Sequence, residues 1–210
     1  MDQNTSQPTT DIKSKILKVA IELFADKGFE GASIRDIAKE AHVNIAMVSY
    51  YFGSKEGLYL ECIANFAKGK VEHLKQTLGA PDTLEEFKLR FRMMVESKMK
   101  AYTEDLGTHK IIMREMQTER DAEFHKKFVD QLEPIFRTIQ GFFKLGIEKG
   151  FLKANTNSEL LALMLMGIMS QPCISDKSMK LRLGYSMADE PVRDQYIEQI
   201  CETFFAGVIK

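Results

Sequence analysis

At 210 residues and 44% hydrophobic content, the chain is long enough to bury one or two cores, and its formal net charge of -1 gives it no global positive field. That excludes a protein that holds nucleic acid by bulk charge. Residues 11 to 55 carry seven Lys or Arg against six Asp or Glu, so a nucleic-acid reading must rest on where charges sit and on dimerisation doubling them.

Cys62, Cys173 and Cys201 are odd in number and far apart, which supports neither a zinc site nor a secreted disulfide framework. Reduced, partly buried thiols are the plain reading, with a redox sensor as the alternative. The N-terminus lacks the basic-then-apolar pattern of a secretory signal. The most apolar run, Leu160 to Ser170, is about half of what a bilayer span needs. The expectation is a soluble, cytoplasmic protein with no membrane partner.

Almost every segment carries helical periodicity, which predicts an all-α fold. Residues 1 to 10 read as a flexible arm. In the first helix Ile12, Ile16, Val19, Ala20, Leu23 and Phe24 share one face, and Gly28 stands where a terminal glycine is expected. Ser33 starts a second helix, with Asp36 as its capping-box partner. Its apolar side is Ile34, Ile37, Ala38 and Ala41. After a short turn at Ala41, His42 and Val43, which lacks glycine, Asn44 caps a third helix. Val43 and Val48 there have the spacing of a hydrophobic staple. Gly53-Ser54 breaks this helix, and Ser54 caps the next, running from Lys55 to about Gln76.

Past a loop at 79–83, Thr83 with Glu86 opens a helix over residues 84 to about 102, carrying Leu84, Phe87, Phe91, Met94, Val95 and Met99 at helical spacing. Further helical patterns cover 106–117 and 121–149, the latter closed by Gly150. Thr156 with Glu159 caps a helix that is apolar nearly all round through Met169, which must therefore be covered on all sides. Pro172 ends or kinks it, and 175–189 reads as loop-like, with a short helix as the alternative. Pro191 introduces the last helix, striped by Ile197, Ile200, Cys201, Phe204, Phe205 and Val208.

The most specific stretch is residues 28 to 58. A short, exposed helix suits the major groove if its first turn and outer face carry groups that reach bases and phosphates. Ile45, Val48 and Phe52 are spaced to anchor an inner face, leaving Ala46, Met47, Ser49, Tyr50 and Tyr51 outward or lateral. Arg35 and Lys55 each lie in a helix's first turn, where a cation opposes the macrodipole but converges with free N–H groups on a phosphate. A structural hairpin with incidental surface charges fits the spacing too.

Ser33 to Val43, followed by Tyr51 to Leu58 and preceded by Leu23-Phe24-Ala25-Asp26-Lys27-Gly28-Phe29, resembles the N-terminal head of the TetR family of bacterial transcriptional regulators. The resemblance covers about a quarter of the chain. It implies a three-helix DNA-binding head, residues 1–54, on a larger effector-binding and dimerising body, residues 55–210. The DNA-contacting set it implies is Ser33, Arg35, Asn44, Ala46, Met47, Ser49, Tyr50, Tyr51 and Lys55, with Arg35 and Lys55 on phosphates. Two positions leave a frequent pattern: many relatives have a small hydroxyl residue where Met47 stands and Tyr where Ser49 stands.

In the body, the resemblance implies a homodimer through the last two long helices, by way of Leu161, Leu165, Ile168, Ile197, Ile200 and Phe204. Phe91, Met94, Met99, His109, Met113, Met116, Phe128 and Met166 are candidates to line an apolar effector pocket, although plain core fits the same stripes. Arg114 and Glu115 are candidates to orient the effector or simply to face solvent. His42, His73, His109 and His125 lie apart without metal spacing. No phosphate loop, zinc motif or di-iron pair appears. The expected protein is a non-enzymatic regulator without cofactor or metal, a repressor released from a palindromic operator on double-stranded DNA by a small apolar effector. The alternative is a helical small-molecule-binding or enzymatic protein whose head no longer binds DNA.

Overall fold

A computed structural model describes residues 7–104, 106–118 and 121–209. Its helices are α1 (Gln7–Gly31), α2 (Ile34–Glu40), α3 (Ile45–Phe52), α4 (Lys55–Leu78), α5 (Leu84–Glu104), α6 (Leu106–Met116), α7 (Ala122–Glu148), α8 (Ser158–Leu183) and α9 (Glu190–Val208). The all-α expectation holds among the described residues, where the only β pairing is an isolated bridge between Leu152 and Ile209. Part of the expected arm lies outside the described residues. Its remainder, from Gln7, is already helical, because nothing after that point interrupts α1 before Gly28 turns to φ +73°.

By contacts the chain divides into two compact units, Met1–Lys68 with Leu106–Leu132, and Gly69–Asp105 with Glu133–Lys210. The unit that holds the head therefore extends beyond residue 54 and takes in α6. Its core joins Ile16, Ala20 and Phe24 of α1 to Ile37 and Ala38 of α2, Val48 of α3, Leu58, Tyr59 and Cys62 of α4, and Ile111, Phe124 and Phe128. Arg114 of α6 donates to the Phe24 and Ala25 carbonyls at 3.1 and 3.3 Å, closing the C-terminus of α1. A side chain at Gly28 would meet that guanidinium at 2.9 Å. Glu115, next along α6, is buried and accepts the Tyr59 hydroxyl at 3.1 Å.

The second unit is built on phenylalanine. Phe87 stacks on Phe142 with ring centroids 4.3 Å apart, and Gly146 leaves room for the Phe87 ring, which a Cβ would meet at 2.7 Å. Around them pack Phe91, Met94 and Met99 of α5, Phe143 of α7, Leu161, Leu165 and Met169 of α8, and Ile197, Ile200 and Phe204 of α9.

Two helix starts and one helix end differ from expectation. Asn157, not Thr156, caps α8, its Oδ1 accepting from the Glu159 and Leu160 N–H groups at 3.0 Å. At α5 the Thr83 hydroxyl accepts from Glu86 N–H as expected, but the Glu86 carboxylate reaches Asp82 N–H rather than closing the box on Thr83. Pro172 kinks α8 by 54° rather than ending it, so 175–183 continues that helix and is neither loop nor a separate short helix. Pro172 cannot donate to the Ile168 carbonyl. The Tyr196 hydroxyl of α9 takes that acceptor at 2.7 Å, so the broken rung is satisfied and the helix resumes.

A candidate nucleic-acid interface

The helix–turn–helix at residues 33–52 is held by local hydrogen bonds at its caps and turn. Ser33 Oγ accepts from Asp36 N–H at 3.1 Å and donates to Asp36 Oδ2 at 2.7 Å. That second bond, more than the nearby lysines, holds the Asp36 carboxyl below its usual 3.8. The cap is therefore intact at neutral pH, and its contribution fades only as pH falls through that lowered value.

At the other end of α2, His42 N–H reaches the Lys39 carbonyl at 3.1 Å and Val43 N–H reaches the Ala38 carbonyl at 2.9 Å. These are the two bonds of a Schellman turn, with His42 in the left-handed position at φ +51°. Asn44 then caps α3, its Oδ1 taking the Ala46 N–H at 2.9 Å. Ser54 does the same for α4, accepting from Gly57 N–H at 3.0 Å.

Of α3, only Val48 is buried. Phe52 is half-buried beside it, as the spacing predicts. Ile45, expected inside with them, is 43% exposed. Its side chain belongs to the first residue of the helix and leans toward the N-terminus, where no preceding turn exists for it to cover. The outward face is thus Ile45, Ala46, Ser49 and Tyr50, the last 83% exposed, with Met47 and Tyr51 lateral and half-buried.

The two first-turn cations differ. Arg35 is exposed and makes no ion pair or hydrogen bond among the described residues. Lys55 is half-buried, with Nζ 4.4 Å from the centre of the Phe29 ring and 3.4 Å from the Glu30 carbonyl oxygen. Its placement therefore has an intramolecular reason, a cation–π contact, which the argument from helix dipoles omits.

The expected pocket residues do not share one place. His109, Met113, Met116 and Phe128 belong to the first unit, Phe91, Met94, Met99 and Met166 to the second. Phe91, Met94, Met99 and Phe128 are fully buried in their cores, and Met116 is exposed. His109 is buried edge-on against Phe66. A shallow groove of about 480 Å³ does open between α5 and α9, lined by Leu89, Arg92, Glu198, Cys201, Phe205 and Ile209, none of them expected. Arg114 and Glu115 neither face solvent idly nor line it, being spent on α1 and α4.

The expected dimer residues are also redistributed. Leu161, Leu165, Ile197, Ile200 and Phe204 are buried within the chain's own second core, and Ile168 is half-buried. The exposed apolar face of α8 is instead Leu160, Leu163 and Met164, continued by the bare Gly167. A helix apolar all round does not say in its sequence which of its faces packs in the chain's own core.

Burial raises the Cys62 thiol to about 12 and the Cys201 thiol to about 11, which keeps both protonated and unreactive at neutral pH. The Cys173 side chain lies outside the described residues. Among those residues no group of His, Cys, Asp or Glu is arranged to hold a metal, and no single helix is long and apolar enough to cross a membrane.

Residues 16–62 match the family of bacterial regulatory proteins, tetR family. The probable HTH-type transcriptional regulator YttP of Bacillus subtilis is 49% identical over 57 residues, 27% of this chain and 28% of that protein. IcaR of Staphylococcus aureus, a negative transcriptional regulator of the biofilm operon icaADBC, is 38% identical over 52 residues, 25% of this chain and 28% of its own. The matched segment thus spans under a third of either relative. The crystal structure of the transcriptional regulator FadR from Bacillus subtilis in complex with stearoyl-CoA aligns with a TM-score of 0.75 at 17% identity, over 90% of this chain and 96% of that one. At that identity it speaks for the fold alone.

Proposed function

We propose that this chain, whose residues 16–62 match the tetR family of bacterial regulatory proteins, is a dimeric DNA-binding transcriptional repressor of that family. The observation that carries the reading is the state of α3. A short helix with one buried residue, fixed by a Schellman turn before it and caps at both neighbouring starts, presents Ile45, Ala46, Ser49 and Tyr50 to solvent. No demand of folding explains such an exposed face, and a recognition helix requires one. Arg35 adds, in the first turn of α2, a cation unpaired among the described residues and suited to a phosphate. Lys55, Tyr50 and Tyr51 add donors on the flanks.

A second copy of the chain is the partner proposed for the Leu160, Leu163 and Met164 face of α8. A dimer sets two recognition helices about 34–36 Å apart on a near-palindromic operator, in the cytoplasm where the chromosome lies. The IcaR likeness supports repression. For the effector we propose an apolar small molecule held in the second unit. Phe91, Met94, Met99 and Met166 offer an adaptable apolar interior there, and the FadR complex with stearoyl-CoA is a precedent on the same fold. Its binding would disfavour the DNA-bound arrangement of the heads.

The test is a fluorescence-anisotropy titration of duplex DNA from upstream of the protein's own gene, with unrelated duplex as competitor. Saturable binding below micromolar protein, resistant to the competitor, is expected. No binding at micromolar protein would remove the reading and favour a helical ligand-binding protein whose head has lost DNA.

A further inference from the structure

Resting on the DNA-binding reading above, we infer that the head reads thymine, through the C5-methyl groups that contact Ile45 and Ala46. The side chains that discriminate guanine and adenine in the major groove do so with paired polar atoms: Arg or Lys on guanine, Asn or Gln on adenine. None of these is on the outward face of α3, which consists of Ile45, Ala46, Ser49 and Tyr50. Asn44 is adjacent, but its Oδ1 already accepts the Ala46 N–H at 2.9 Å, which holds the amide against the helix start rather than free to pair with adenine. Lys55 is turned to Phe29 and the Glu30 carbonyl.

What the first turn of α3 offers instead is two adjacent apolar groups. Ile45 is 43% exposed where the sequence spacing would bury it. The N-terminal residues of a recognition helix are the ones that meet base edges. In the major groove the base-edge group complementary to an exposed isobutyl-sized apolar surface is the thymine methyl, and cytosine and the purines present none. Ser49 and Tyr50, one turn further on, carry hydroxyls that suit phosphate or either base and add little discrimination.

The experiment selects bound duplexes from a random pool with the full-length protein, then resynthesises the best site with deoxyuridine in place of individual thymines. Deoxyuridine pairs as thymine does and lacks only the methyl. Thymine is expected at a fixed step in each half-site, and each critical methyl removed weakens binding about fourfold, the effect of burying one such group. Ile45→Ala, an exposed position, should fold normally and lose that sensitivity. Ile45→Gln should move the preferred base at the same step to adenine. Selected sites that place guanine there, or that bind equally with deoxyuridine throughout, overturn the inference while leaving DNA binding intact. A pool that yields no enriched sequence overturns the DNA-binding reading itself, and this inference with it.

Discussion

His42 shows what a single side chain costs in the turn. A non-glycine residue at φ +51° carries the penalty of the left-handed region, roughly 1 kcal/mol. His42→Gly keeps both Schellman bonds, so thermal or urea unfolding should show a gain of about 1 kcal/mol less the entropy glycine adds to the unfolded chain. A loss of stability would mean that the imidazole makes a contact the turn depends on. The sequence marked the turn at Ala41, His42 and Val43 but not its left-handed residue, since a histidine between two helices carries no signal for that backbone. The caps at Ser33, Asn44 and Ser54 were legible because they depend on residues two or three apart. Lys55 was half legible: its place in the first turn of α4 was plain, whereas its Phe29 partner lies across the fold.

Among the elements, α8 was hardest to read. Its apolar residues run all round, so periodicity could not say that Leu161 and Leu165 face the chain's own core while Leu160, Leu163 and Met164 do not. The continuation through Pro172 depends on Tyr196 reaching the Ile168 carbonyl from α9, a pairing 28 residues away. Interface mutations chosen from the sequence, such as a charge at Leu165 or Phe204, would therefore unfold the second unit rather than separate subunits. Leu163→Glu combined with Met164→Glu alters residues 60% and 59% exposed and leaves that core untouched. Light scattering should report a dimer for the wild type and a monomer for the variant, with unchanged helical circular dichroism. A variant that stays dimeric would put the interface elsewhere.

For the molecule as a whole, the proposed DNA binding would have to succeed against a net charge of -1. Attraction to the phosphate backbone then depends on a few placed cations rather than on a field. The crowding of capped, glycine-punctuated helices into the first 55 residues was legible, because caps and glycines act locally. The contribution of α6 to the head's unit was not, because Arg114 meets α1 about ninety residues back along the chain. The same distance effect scattered the expected pocket, since Met and Phe stripes look alike in both cores.

Arg35 tests the central claim better than Lys55, because it has no partner among the described residues whose loss would blur the result. The measurement is the salt dependence of binding to the selected operator, for the wild type and Arg35→Ala. Log affinity should fall linearly with log salt. Loss of one phosphate contact per protomer should lower that slope by about 0.9 for each, or about 1.8 per dimer, with stability unchanged. A slope near zero in the wild type, or one that Arg35→Ala leaves as it was, would contradict a head that grips DNA through the first turn of α2.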